Sequence, residues 1–174
     1  MDNYEVPYVE KENVSLVVVG FVGQEPEALR STLEWFNYRV DTHWVGSKIE
    51  LQKILKGEIP TRETIILCCH GDDDGILIDG EPTLTGEEIK SCCMITNKVI
   101  INLGCSTGKQ HIADAFLHRR GLTYIAPVDD IEGNSSLLFA IHVFYYLANG
   151  DEWSEAVDKA RQFDEECKLF KRFV

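Results

Sequence analysis

Positive charge is scarce in this 174-residue sequence: 17 Lys and Arg stand against 29 Asp and Glu, a formal net charge of −12. A chain this acidic is a poor partner for a phosphate backbone, so nucleic acid is excluded and a cationic ligand or basic peptide is favoured. No apolar run reaches the length of about 18 residues that a membrane span needs. The start, Met1–Asn13, is polar and mixed in charge. It lacks a basic patch followed by an apolar stretch, so no signal peptide is expected. Repeats and low-complexity segments are missing too. Without a signal peptide, the six cysteines read as reduced thiols and the expected address is the cytoplasm.

What remains is an ordinary globular composition, 44% hydrophobic and 26% charged, enough for one domain with a sizeable core. A short N-terminal arm over 1–13 and a single domain over 14–174 are expected. Val14–Val22 is a continuous β-branched run, read as a buried strand. Gln24–Asn37 has helical spacing, Arg39–Val45 alternates as a strand, and Ser47–Lys56 is a short helix. Thr64–Cys69 is a second buried strand, ending at His70-Gly71. Ile76–Ile78 and Glu81–Leu84 flank Asp79-Gly80, a strong hairpin turn. Thr85 and Glu88 have the spacing of a capping box that opens a helix. Lys98–Leu103 (strand), Lys109–Arg120 (helix), Thr123–Val128 (strand) and Ser135–Ala148 (helix) come next. Asp151–Phe173 reads as one long amphipathic helix, with Trp153, Val157, Ala160, Phe163, Cys167 and Phe170 on one stripe. The alternation predicts an α/β fold, a mostly parallel sheet covered by helices on both faces.

Sites in such sheets lie at the carboxyl ends of strands. Two loops there carry chemistry: Cys69-His70-Gly71 and Gly104-Cys105-Ser106. Ahead of a helix, the Cys105 thiol would feel the positive end of the helix dipole. On position alone, Cys105 reads more readily as a small buried hydrophobe. His70 alters the balance, because a His and a Cys at neighbouring strand ends are the minimum for base-assisted thiol catalysis. The backbone N–H groups of Gly71 and Cys105 would form an oxyanion hole.

The segments Ile65–Gly71 and Ile100–Gly108 resemble the His-Gly and Cys segments of caspase-like cysteine peptidases (clan CD), closest to the CHAT and separase-like branch. The hairpin after His-Gly, the segment Ile125-Ala126-Pro127-Val128-Asp129-Asp130 with the helix after it, and Trp153-Ser154-Glu155-Ala156 match that family's order. The resemblance covers about residues 14–165. It implies a caspase-like three-layer αβα sandwich, with Cys105 as nucleophile and His70 as general acid/base. It also implies that Asp130 lines a pocket for a basic P1 residue (Arg or Lys), with Glu132 as a second substrate-binding candidate. Cys69 before the His and Ala126 in place of Trp depart from the family pattern.

Rival motifs fail on spacing. A P-loop ending at Gly108-Lys109 would need Gly at Leu103 and Ser or Thr at Gln110. The phosphate loop of cysteine phosphatases, by resemblance, would need Arg at His111. Cys68, Cys69, His70, Cys92 and Cys93 include no Cys-x-x-Cys, and vicinal cysteines in a strand point to opposite faces, so zinc is not expected. Those cysteines read as core thiols or as vicinal redox sensors. Asp72-Asp73-Asp74 reads as a solvated acidic loop or a divalent-ion site; calcium dependence is conceivable without an EF-hand motif. No metal or cofactor is otherwise expected. The function read from the sequence is therefore a thiol endopeptidase acting on basic peptides or proteins, its activation left to a regulatory partner protein, a metal or self-cleavage. A catalytically inactive binding or scaffold domain of the same fold is the alternative; a flavodoxin-like small-molecule binder is more distant. The acids are also local: 72–89 and 121–158 each hold seven Asp and Glu and no Lys or Arg.

Overall fold

The computed structural model describes residues 13–174. The arm over 1–13 therefore lies outside the described residues, save Asn13, which opens the first strand. Six strands form one sheet: β1 (Asn13–Val19), β2 (Arg39–Val45), β3 (Thr64–Cys68), β6 (Lys98–Asn102), β7 (Leu122–Pro127) and β8 (Phe170–Phe173). Their order is β2-β1-β3-β6-β7-β8, and β8 alone runs antiparallel. A separate hairpin, β4 (Gly75–Ile78) and β5 (Glu81–Thr85), turns at Asp79-Gly80, where Gly80 takes the left-handed φ of +73° that the turn demands.

The central strands are apolar on both sides because both sides are covered. Val17, Val19, Ile65, Leu67, Ile100 and Tyr124 face one core, closed by α2 (Lys48–Lys56), α3 (Gly86–Cys92), α4 (Gln110–Leu117) and the hairpin. Leu16, Val18, Ile66, Ile101 and Ile125 face the other, closed by α1 (Glu25–Trp35), α5 (Gly133–Ala148) and α6 (Trp153–Ala160). Local signals set the helix ends as the sequence suggests. Ser47 caps α2, Gly57 ends it at φ +79°, and Thr85 with Glu88 forms the full capping box of α3. Among the described residues, no helix is long and apolar enough to cross a membrane.

One expectation fails. The apolar stripe over Asp151–Phe173 is helical only to Ala160; a turn, a 3-10 segment over Cys167–Leu169 and β8 come after it. Two effects break the helix. The Asp164 carboxylate accepts Cys167 N (2.6 Å), a local bond that competes with helical ones, and Ser135 Oγ (2.9 Å) from α5, which holds it in place. The open edge of β7 offers a ladder from Tyr124 to Pro127, which β8 fills. Phe170, from the expected stripe, and Phe173 then serve opposite cores.

Phe170 is fully buried and stacks on Phe139 at 3.6 Å between ring centroids and 4° between planes. Phe170→Ala is expected to destabilise the fold by about 3–5 kcal/mol, measured by denaturant unfolding. A loss below about 1 kcal/mol would show that β8 is not an integral strand.

Candidate active site

Strand pairing brings the two chemistry-bearing loops together. Thr64–Leu67 and Val99–Asn102 pair in parallel with a constant offset, and Leu103 N extends the ladder with a 2.9 Å bond to Leu67 O. The loops touch. A Cβ on Gly71 would fall 2.6 Å from Cys105 O and 2.4 Å from Thr107 Cγ2; one on Gly104 would fall 3.0 Å from Cys69 Sγ. Only glycine permits this approach.

A buried polar network holds the Cys105 loop in place. Asn102, fully buried at the end of β6, accepts Gly104 N (3.0 Å) and the Cys69 thiol (3.2 Å) on one oxygen. Its amide donates to Tyr124 Oη (3.0 Å), which donates to Thr107 O (2.9 Å). Thr107 Oγ1 donates to Gly104 O (2.7 Å), and Gly108 N and Ser106 N donate to Pro127 O (2.7 Å) and Asp129 O (3.1 Å). Every member is satisfied, the condition under which a buried network rigidifies rather than weakens a core. Ser106 sits at φ +57°, an uncommon conformation for a residue with a side chain, directly after Cys105. Asn102 and Tyr124 were not singled out from the sequence. The available signal was a lone amide ending the apolar run Val99–Leu103.

The two reactive side chains lean in opposite directions. The half-buried Cys105 thiol donates to Ile131 O at 3.4 Å. The exposed His70 ring has Nε2 3.1 Å from Phe21 O, in the loop after β1. A carbonyl only accepts, so Nε2 carries a hydrogen. No hydrogen bond joins His70 to Cys105 among the described residues. The helix-dipole expectation for Cys105 fails: α4 begins at Gln110, beyond a run of turns over 105–108. A macrodipole acts only within the first turn.

The acids divide by task. Asp130 accepts Ser106 Oγ (3.0 Å), and Glu132 caps α5 through Asn134 N (3.0 Å) and Asn134 Nδ2 (3.2 Å). Asp72 folds its own turn by accepting Asp74 N and Gly75 N, and Asp73 pairs with Lys109 at 3.3 Å. Glu25, at the start of α1, was missed by the sequence reading. A Cβ on Gly133 would fall 2.4 Å from Glu25 Oε1, so the carboxylate lies against the start of α5. Burial holds its carboxyl above the usual range; the Glu132 charge adds to that, and His70 opposes it. Glu25, His70 and Glu132 thus share one electrostatic neighbourhood.

Of the six cysteines, Cys105 alone is not buried. Burial pushes the Cys68 thiol up to about 12, Cys93 up to about 11 and Cys167 up to about 12. Cys69 and Cys92 also rise through burial. Thiolate is the reactive form, so brief alkylation of the native protein near neutral pH is expected to label Cys105 and, in urea, all six. Rapid native labelling of Cys105→Ala would contradict this. Tyr124→Phe removes the hydroxyl between Asn102 and Thr107 and strands both; a destabilisation of about 1–3 kcal/mol is expected in denaturant unfolding.

No family model and no curated protein matches the chain. Among solved structures, the complex of Porphyromonas gingivalis RgpB pro- and mature domains is similar with a TM-score of 0.60 at 10% identity, over 91% of this chain and 45% of that one. A semialdehyde dehydrogenase NAD-binding protein from Cupriavidus necator, in complex with calcium and NAD, reaches 0.38 at 21% identity, over 67% and 40%. That second likeness is too slight to carry an argument. The chain spans less than half the length of the RgpB chain it resembles. The RgpB likeness shows the fold: a caspase-like three-layer αβα sandwich around a mostly parallel sheet.

Proposed function

We propose that the chain is a caspase-like cysteine endopeptidase in which Cys105 and His70 form the catalytic dyad. The observation that carries this reading is the packing of the His70-Gly71 loop on the Gly104-Cys105 loop at adjacent carboxyl ends of a parallel sheet. RgpB is a gingipain, a cysteine peptidase of clan CD. Its likeness supports the reading through the fold, and the chemistry rests on this chain's own residues. The order of motifs favours the CHAT and separase-like branch.

His70 Nδ1 takes the Cys105 thiol proton, and the resulting thiolate attacks the scissile carbonyl carbon. A C–S bond forms and the carbonyl electron pair moves to oxygen, where the Gly71 and Cys105 N–H groups receive it. Neither amide donates elsewhere among the described residues. The oxyanion collapses, the C–N bond breaks, and protonated His70 gives the Nδ1 proton to the leaving amine. Water then attacks the thioester, Nδ1 takes its proton, and the C–S bond breaks. In the free protein Phe21 O accepts from Nε2–H and orients the ring. Both side chains must turn from their present partners toward substrate, as catalytic groups often do between free and bound states. The mechanism calls on no metal or cofactor. Asp130, with Glu132 and now Glu25, supports a basic P1 residue. The free thiols suit a cytoplasmic setting, and a regulatory partner protein would fit the need for both side chains to turn.

The test is hydrolysis of peptides varied at P1 by wild type, Cys105→Ala and His70→Ala. Wild type is expected to favour Arg or Lys, and each variant to lose at least about 10³-fold in kcat/KM. Equal activity in Cys105→Ala removes the nucleophile; preference for acidic P1 removes the pocket assignment. The bonding of the Cys105 thiol to Ile131 O rather than His70 favours a second reading, an inactive binding or scaffold domain. Failure of a peptide electrophile to label Cys105 under any condition, added calcium included, would support it.

A further inference from the structure

Acids lie on both sides of the dyad, Asp79 beside Phe21 on the His70 side and Asp130 beside Ser106 on the Cys105 side, and the His70 side also carries exposed apolar side chains. Across the strand ends the order is the loop after β1, then His70, then Cys105, then the segment 129–132. Cys105 leans on Ile131 O, amid the acids Asp130 and Glu132. His70 leans the other way, on Phe21 O. Phe21 is 79% exposed and its ring belongs to neither core. Its backbone is nonetheless held: Phe21 N donates to Asp79 Oδ2 at 2.8 Å, and a Cβ on Gly20 would fall 2.7 Å from the same oxygen. The hairpin tip thus fixes an exposed phenylalanine beside the catalytic ring.

A second apolar side chain lies there. Leu77 N donates to His70 O at 3.0 Å, which sets Leu77 next to His70 in the backbone. In β4 the neighbours Ile76 and Ile78 enter the core, so Leu77 projects to the other face and is 38% exposed. Exposed apolar side chains scattered singly need no explanation. These two are not scattered: both backbones are hydrogen-bonded to His70, one to its ring and one to its carbonyl.

We infer that Phe21 and Leu77 form an apolar subsite for the residues after the scissile bond, making the substrate class a segment with a basic residue followed by an apolar one. This rests on the dyad reading. His70 delivers its proton to the leaving amine, so the chain bearing that amine departs past His70, toward Phe21 and Leu77. The P1 side chain lies on the Cys105 side, toward the acids. The hairpin supports the subsite through Asp79.

The experiment uses the full chain with a peptide library varied at P1, P1′ and P2′, cleavage products being read by mass spectrometry. Wild type is expected to cut peptides with Leu, Ile or Phe at P1′ or P2′ about tenfold faster than those with Ser or Asp there, as a hydrophobic pocket discriminates. Phe21→Ala and Leu77→Ala, both at exposed side chains, are expected to narrow that ratio several-fold. Cleavage that depends on Cys105 but is indifferent to P1′ and P2′ overturns the subsite and leaves the dyad standing. A preference unchanged in both variants does the same for these two residues. Absence of any Cys105-dependent cleavage overturns the peptidase reading and the subsite with it.

Discussion

Gly71 lies so close to the Cys105 loop that no side chain fits between them. That approach depends on the parallel ladder of β3 and β6 and on the Asn102 network beneath it. The ladder sets the residues that leave the sheet side by side; the network turns the chain after Leu103 so that Cys105 stays at the edge while Thr107 and Gly108 return to the core. Asn102 bonds both loops at once, through Cys69 and Gly104. The contact between the two loops is thus a property of the sheet rather than of either loop.

The same architecture separates one thiol from five. Both faces of the sheet are covered, so cysteines within or beneath it are buried, and burial disfavours the charged thiolate. Only the cysteine past the end of β6 escapes. Cys69 is the informative contrast: it precedes the catalytic candidate His70 yet serves as a hydrogen-bond donor to Asn102, beneath the site rather than in it.

The acidity of the chain is not a uniform field awaiting a basic partner. Asp72 and Asp164 fold turns, Asp79 ties the hairpin to the loop after β1, and Glu88 and Glu132 cap helices. Asp130 accepts from Ser106 Oγ. Glu25 differs: burial near Glu132 opposes its ionisation and His70 favours it.

Much of the fold was legible because period, burial and capping are local. The β-branched runs of β1, β3 and β6, the Asp79-Gly80 turn and the Thr85–Glu88 capping box could be read residue by residue, and the strand-end positions of His70 and Cys105 came with them. The long C-terminal helix was misread because its stripe is compatible with a helix, while the decisive factor, the open edge of β7, lies about 40 residues away in the chain. Glu25 was missed for the same reason: near the start of the sequence it resembles any first-turn acid, and only folding sets it against Gly133. Sequence by itself determined the element types, the two loops and the residue chemistry, since these depend on neighbours along the chain. Tertiary structure decided that the loops touch, that five thiols are buried, and that Cys105 and His70 lean apart, because register, burial and long-range hydrogen bonds exist only once the sheet has closed.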